Sequence, residues 1–130
     1  MEKLAPEHLR ATMVAYRDLL RRHRERLNRL NVYPVPDGDT GTNMALTLES
    51  VSSELATAAS MPEVCHAISR GSLMGARGNS GVITSQILRG FAEVFRESES
   101  ITAADVVRAL RRGADAAYEA VMRPVEGTIL

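Results

Sequence analysis

Apolar residues recur at alternating spacings of three and four along most of this 130-residue chain. Such spacing places side chains on one side of an α-helix, whereas a half-buried strand requires strict alternation of apolar and polar residues. The first segment of this kind runs from about Pro6 to Arg29, and a proline suits a first helical turn. Its apolar stripe comprises Leu9, Met13, Tyr16, Leu20, His23, Leu27 and Leu30. We therefore predict a long amphipathic helix at the start of the chain.

Prolines and a capping motif delimit the next two helices. Residues 33–39 include two prolines and a glycine and cannot lie inside a helix. Helical spacing resumes beyond them with Met44, Leu48, Val51, Leu55 and Ala58. Ser60–Glu63 has the form of a capping box, in which a Ser or Thr and an acid three residues later cap each other's backbone. This motif predicts a helix that continues to about Met74.

Two more helices are predicted after a glycine-rich break at residues 75–81. The first runs from about Ser80 to Arg96, and its inward residues are Ile83, Ile87, Val94 and Phe95. Thr102–Asp105 is a second capping box and starts a helix to about Met122. The prediction is an all-α fold, a closed or partly open bundle of amphipathic helices.

Composition adds little beyond this fold class. A short piece at 31–35 is the one segment with strand character. Formal net charge is zero, which gives no sign of nucleic acid or of a membrane surface as a partner. No run of about 18 apolar residues is present and the polar start is no signal peptide, so no membrane span is expected. The single cysteine, Cys65, favours a reducing compartment, the cytoplasm, and its apolar setting indicates a core residue.

Two carboxylates, Asp37 and Asp39, stand two positions apart on a glycine-containing turn, with no Lys or Arg from residue 30 to 69. Neighbouring acids without a counter-charge repel each other unless a cation lies between them. Mg²⁺ is usually held by one or two carboxylates and the phosphates of a substrate. A simple Asp-Gly turn is the alternative. A calcium loop is excluded because its required glycine and glutamate are replaced by Thr42 and Leu48. The pattern predicts a metal–phosphate site.

The flanks of these acids favour the same interpretation. The prolines within 33–39 stiffen the approach to Asp37 by fixing φ. Thr40, Thr42 and Asn43 can cap the following helix. The N-terminus of that helix offers unpaired amides and the positive end of a dipole, and both suit phosphate oxygens.

A second loop, Gly-Ala-Arg-Gly-Asn-Ser-Gly at residues 75–81, has similar properties. Its three glycines let backbone approach a ligand closely, and Asn79 and Ser80 stand where an N-cap would. It is not a P-loop, because no Gly-Lys-Ser/Thr follows at the required spacing. A structural turn between two helices is the alternative. Arg77 faces phosphate in one interpretation and solvent in the other.

Residues 31–44, NVYPVPDGDTGTNM, closely resemble the signature of the nucleotide-binding domain of bacterial fatty acid kinases, which are relatives of the DhaL-type ATP-binding domain of dihydroxyacetone (glycerone) kinases. Residues 75–86 and 123–130 are similar to the next two landmarks of that family, in the same order. The tandem prolines favour the fatty acid kinase branch. The resemblance implies that residues 1–130 form a DhaL-type domain that binds ATP or ADP with Mg²⁺. It also implies that this domain is incomplete at its C-terminus, because the resembling domain is longer.

The resemblance implies roles for individual residues. Asp37 and Asp39 would be metal ligands. The nucleotide-binding residues would be Thr40, Gly41, Thr42, Asn43, Gly78, Asn79, Ser80 and Gly81. The dihydroxyacetone kinase pattern has a third carboxylate at the position that Val32 occupies here. Asn31, the residue before it, is a candidate neutral oxygen ligand in its place. The resemblance leaves open whether the site holds one metal ion or two.

The resemblance also implies a reaction and partners. Such a kinase transfers the γ-phosphate of ATP to a fatty acid carboxylate that a separate fatty-acid-binding protein presents, yielding an acyl phosphate. Alternatives are a truncated nucleotide-binding module without catalysis, a dihydroxyacetone kinase-type subunit and a purely structural helical adaptor. A bundle that lacks helices would expose an apolar seam, which predicts a homo-oligomer or a missing partner chain. No nucleic-acid partner is expected.

Overall fold

The computed structural model describes residues 3–31 and 38–121, which form five α-helices joined by short connections. These are α1 (Pro6–Leu30), α2 (Thr40–Leu55), α3 (Met61–Gly75), α4 (Gly78–Phe95) and α5 (Ala103–Ala120). Within the described ranges there is no strand, only an isolated antiparallel bridge between Leu4 and Ile101. The all-α prediction is confirmed. The strand piece predicted at 31–35 lies outside the described residues beyond Asn31. The last helix ends at Ala120, two residues before its predicted end at Met122.

The bundle is open. α2 packs against α1, α3 and α4, whereas among the described helices α5 packs against α4 alone. The segment before α1 is tied to the segment before α5 by two backbone hydrogen bonds, Leu4 N–H to Ile101 O at 2.8 Å and Ile101 N–H to Leu4 O at 2.7 Å. The bridge therefore joins the two segments, while the helices α1 and α5 themselves make no contact.

The core forms around α2, as its apolar spacing predicts. Leu48, Val51 and Leu55 are buried on this helix, and Ala58 is buried just beyond its end. Neighbouring helices bury Val64, Ile68, Leu88, Ala92 and Phe95 against them. Burial of aliphatic side chains contributes roughly 1.5–3 kcal/mol each, so this contiguous cluster is the main source of stability.

The apolar stripe predicted for α1 is correct except at His23 and at Leu30. Leu9, Met13 and Leu20 are buried, but His23 is exposed and Leu30 is 67% exposed. The reason is the close approach of α2, which begins at this level. Gly41 packs so tightly against the backbone of Arg24 that a Cβ there would overlap the Arg24 carbonyl. α2 therefore contacts α1 at Arg24 and Leu27, and the His23 imidazole stays in solvent.

α4 and α5 cross at a pair of glycines. A Cβ on Gly90 would lie 2.6 Å from both the Cα and the N of Gly113, so the two backbones are in direct contact. Elsewhere on its surface α5 exposes apolar side chains, with Val107 58% exposed and Leu110 57% exposed. That these side chains belong to the open apolar seam that the sequence predicts stays a prediction.

Both predicted capping boxes are present, and the first gives a testable stability effect. Ser60 Oγ accepts the Glu63 N–H at 3.2 Å, and Glu63 Oε1 accepts the Ser60 N–H at 3.0 Å. Because Ser60→Ala removes an acceptor for a helix N–H group, we expect it to lower the free energy of unfolding by about 1 kcal/mol. Urea denaturation measures this. Ser53→Ala is the control, since Ser53 Oγ is exposed and donates only within its own helix. Equal effects of both variants would contradict the prediction.

Cys65 is a core residue, as predicted. It is buried on α3, and burial raises the pKa of its thiol to about 11, partly offset by the positive charge of Arg96. Only about one molecule in a thousand would then carry the reactive thiolate at pH 8. We expect iodoacetamide to leave the native protein unmodified and to label it once in denaturant. Mass spectrometry reads this out without ambiguity because the chain has one cysteine. Rapid labelling of the native protein would refute the assignment.

Candidate functional site

The two loops singled out in the sequence meet at one end of the bundle. A Cβ on Gly78 would lie 2.5 Å from the Asn43 side-chain nitrogen, so the start of α4 touches the first turn of α2. Thr47 Oγ1 lies 3.4 Å from the Gly75 carbonyl oxygen, and a Cβ on Gly81 would lie 3.1 Å from the same hydroxyl oxygen. The starts of α2 and α4 are therefore held side by side.

Asp39 is the one residue of the predicted acidic pair within the described residues, since Asp37 belongs to 32–37. Asp39 is the N-cap of α2, and its carbonyl accepts the Asn43 N–H at 2.9 Å. Its side chain is exposed and makes no cap hydrogen bond. Across 3–31 and 38–121 no Lys or Arg forms an ion pair with it. The carboxylate is therefore available to a cation.

Two asparagines from the end of α1 cap the start of α2. Asn31 Oδ1 accepts the N–H groups of Asp39 at 3.1 Å and Thr40 at 3.3 Å. Asn28 Oδ1 accepts the Thr42 N–H at 3.1 Å, while Asn28 Nδ2 donates to Thr42 Oγ1 at 3.0 Å. The expectation of unpaired amides at this helix start is thus wrong for Thr40 and Thr42. Their acceptors come from the adjacent α1, not from the predicted caps within α2.

The oxygen atoms of Asp39 and Asn31 meet part of what a hard cation requires of its ligands. Mg²⁺ prefers carboxylate oxygens as ligands, and Asp39 can supply such oxygens. Asn31 Oδ1 already accepts two N–H donors, which matches the two lone pairs of a carbonyl oxygen, so a metal there would displace one of them. No group of three or more His, Cys, Asp or Glu side chains within the described ranges would hold an ion by itself. A bound cation would therefore need ligands beyond Asp39.

The second loop differs slightly from its prediction. α4 begins at Gly78, two residues before the predicted start, so Asn79 and Ser80 lie in its first turn and Arg77 is the N-cap. Gly78 has a φ of +66°, a left-handed conformation that disfavours any side chain. Arg77 Nη1 donates to the Ala76 carbonyl at 3.1 Å. Asn79 is exposed and Ser80 is half-buried, and neither side chain makes a hydrogen bond to another described residue.

Gly41 and Gly81 serve the packing of the helices. Both are buried, and the space that a side chain would need is taken by Arg24 for one and by Thr47 and Ala76 for the other. Contact between their backbone and a nucleotide stays a prediction.

A shallow groove of about 330 Å³ lies at the other end of the same helices. Its lining comes from the start of α1, the start of α3 and the residues after α4, including Pro6, Met61 and Arg96. It contains none of the residues predicted to bind metal or nucleotide, and we assign it no part in the site.

A family model described as the DAK2 domain matches residues 34–130 of this chain. The chain is 53% identical to protein YloV of Bacillus subtilis over 103 residues, which is 78% of this chain and 19% of YloV. It is 50% identical over 115 residues to an uncharacterized protein of Staphylococcus saprophyticus, covering 85% of this chain and 20% of that protein. An uncharacterized protein of Staphylococcus haemolyticus is 53% identical over 103 residues, covering 78% and 19%.

The chain belongs to the DAK2 domain family, the DhaL-type domain of dihydroxyacetone kinases. It spans about a fifth of the length of the curated relatives it matches. Family membership supports a DhaL-like nucleotide-binding module. No helix in the described ranges is long and apolar enough to cross a membrane.

Proposed function

We propose that the starts of α2 and α4, together with Asp39, form a Mg²⁺-dependent ATP site in a kinase domain of the fatty acid kinase type. The observation that carries this proposal is the contact between Gly78 and Asn43, which brings two helix N-termini together beside the Asp39 carboxylate, for which the described residues supply no ion pair. Two aligned N-termini concentrate positive dipole ends where phosphates would lie. The carboxylate supplies the ligand for the cation that accompanies them.

Both helix starts offer donors suited to phosphate oxygens. On α2 these are the side chains of Thr40, Thr42 and Asn43, and on α4 those of Asn79 and Ser80. Asp37, as the second acid of the loop, and Asn31 are further proposed metal ligands. A bound Mg²⁺ would neutralise charge on the phosphate oxygens as it spreads in the transition state.

The protein's part in phosphoryl transfer is then positioning. An ionised fatty acid carboxylate is already a nucleophile, so we assign no general base. The carboxylate oxygen attacks the γ-phosphorus, the bond from that phosphorus to the β–γ bridging oxygen breaks, and ADP leaves with its electron pair. The product is an acyl phosphate. We propose that a fatty-acid-binding protein presents the acceptor and that the reaction occurs in the cytoplasm.

A nucleotide-binding module without catalysis is the second candidate. The same helix starts and the Asp39 carboxylate support it, because they offer groups that bind phosphates and a cation. A dihydroxyacetone kinase-type subunit is a further candidate for the same site. The exposed apolar face of α5 is compatible with a homo-oligomer or a covering partner chain in either case.

One assay separates these candidates. The chain is incubated with γ-labelled ATP, Mg²⁺ and either a fatty acid on its binding protein or dihydroxyacetone, and hydroxylamine then traps any acyl phosphate as a hydroxamate. Hydroxamate formation supports the fatty acid kinase. Labelled dihydroxyacetone phosphate supports the sugar kinase subunit. Saturable Mg²⁺-dependent ATP binding with neither product supports the module, and absence of ATP binding contradicts all three.

A further inference from the structure

We propose that Asn28 is a positioning residue that orients the Thr42 hydroxyl as a hydrogen-bond donor toward a phosphate oxygen of the nucleotide. The inference rests on the proposed function, because it assigns a proton donor within that site. Asn28 lies on α1, before the residue string that resembles the kinase signature, and no sequence motif draws attention to it.

The hydrogen-bond pattern fixes which atom does what. The Thr42 backbone N–H can only donate, so the side-chain atom of Asn28 that faces it at 3.1 Å must be Oδ1. The other atom is then Nδ2, which carries hydrogens only and points at Thr42 Oγ1 at 3.0 Å. Thr42 Oγ1 must therefore accept, and its own hydrogen is directed away from Asn28.

Thr42 differs in this respect from Thr47 and Thr84, which lie further along their helices. Thr47 Oγ1 donates to the Asn43 carbonyl at 2.9 Å, and Thr84 Oγ1 donates to the Ser80 carbonyl at 2.7 Å. These bonds to the preceding turn use the hydroxyl hydrogen. Among the described residues the Thr42 hydroxyl has no such acceptor, and it lies half-buried in the first turn of α2. An anionic oxygen at this helix start would be its acceptor.

Asn28→Asp tests the role with little change in shape. The carboxylate still accepts the Thr42 N–H, but it has no hydrogen to donate, so the Thr42 hydroxyl turns to donate to Asp and is lost to phosphate. We expect the urea midpoint to be retained and the affinity for Mg·ATP, measured by calorimetry, to fall roughly tenfold. Thr42→Val should cause a similar loss, and Thr42→Ser should keep the wild-type affinity because it retains the hydroxyl.

The double variant distinguishes positioning from simple charge repulsion. If Asn28 acts through the Thr42 hydroxyl, adding Asn28→Asp to Thr42→Val causes little further loss. If the new carboxylate merely repels phosphate, the two losses add, and the inference is overturned. Thr12→Val is the matched control, because the Thr12 hydroxyl donates to the His8 carbonyl far along α1. Wild-type affinity in Asn28→Asp would also overturn the inference, whereas a wild-type protein that binds no Mg·ATP would overturn the proposed function together with it.

Discussion

Replacement of Asp39 by alanine is expected to lower the affinity for ATP in the presence of Mg²⁺ on the order of 100-fold, because it removes a charged metal ligand. Without Mg²⁺ the same substitution should have little effect or a slightly favourable one, since the carboxylate then repels the phosphates. The Mg²⁺-dependent increment in affinity, measured by calorimetry with and without the metal, is the quantity that should disappear.

The fold should tolerate this change. The Asp39 side chain is exposed and makes no cap hydrogen bond, while Asn28 and Asn31 supply the acceptors for the start of α2. We therefore expect the free energy of unfolding to change by no more than about 0.5 kcal/mol. Asp115→Ala is the matched control, because Asp115 is exposed on α5 and makes no ion pair with another described residue. An unchanged Mg²⁺ increment in Asp39→Ala would remove the metal-ligand role.

Gly41→Ala is expected to lower the free energy of unfolding by roughly 2–3 kcal/mol, since overpacking at a tight contact costs about that much. The added methyl would overlap the Arg24 carbonyl and approach the Leu27 Cβ to 2.9 Å. Both neighbours belong to α1, and the first of them is backbone, which yields less easily than a flexible side chain. The denaturation midpoint in urea reports the loss.

The direction of this effect is diagnostic. In a helix with free space, replacing glycine by alanine stabilises by about 1 kcal/mol, because glycine loses more backbone entropy on folding. Ser53→Ala on the same helix controls for general effects on α2, since Ser53 is exposed. A Gly41→Ala variant as stable as the wild type, or more stable, would show that α1 and α2 do not approach as closely as Gly41 requires.

Much of the fold follows from sequence because its signals are local. Periodic apolar residues and reciprocal caps act over one or two turns, so the starts of α3 and α5 fall within one residue of their predicted positions. The spacing predicts that His23 belongs to the apolar stripe of α1, but the structure leaves it exposed. Which residues on α1 are covered depends on where another helix begins and how closely it packs, and periodicity alone carries no information about either.

The sequence singles out the two loops of the candidate site but gives no indication of the contacts that support them. The two loops were singled out separately by their glycines and acids, and their juxtaposition follows from the packing of α2 against α4. Asn28 was missed entirely. The one sequence signal for Asn28 is its spacing of three residues from Asn31, which caps the end of α1. This spacing acquires a meaning only when the start of α2 is known to lie beside both side chains.

A crystal structure with Mn²⁺ and a non-hydrolysable ATP analogue would test the central claim most directly, because Mn²⁺ accepts the same oxygen ligands as Mg²⁺ and gives an anomalous signal. The account predicts a manganese peak at about 2.1–2.2 Å from an Asp39 carboxylate oxygen, with phosphates between the starts of α2 and α4. A peak elsewhere, with the Asp39 carboxylate paired to an arginine, would contradict it.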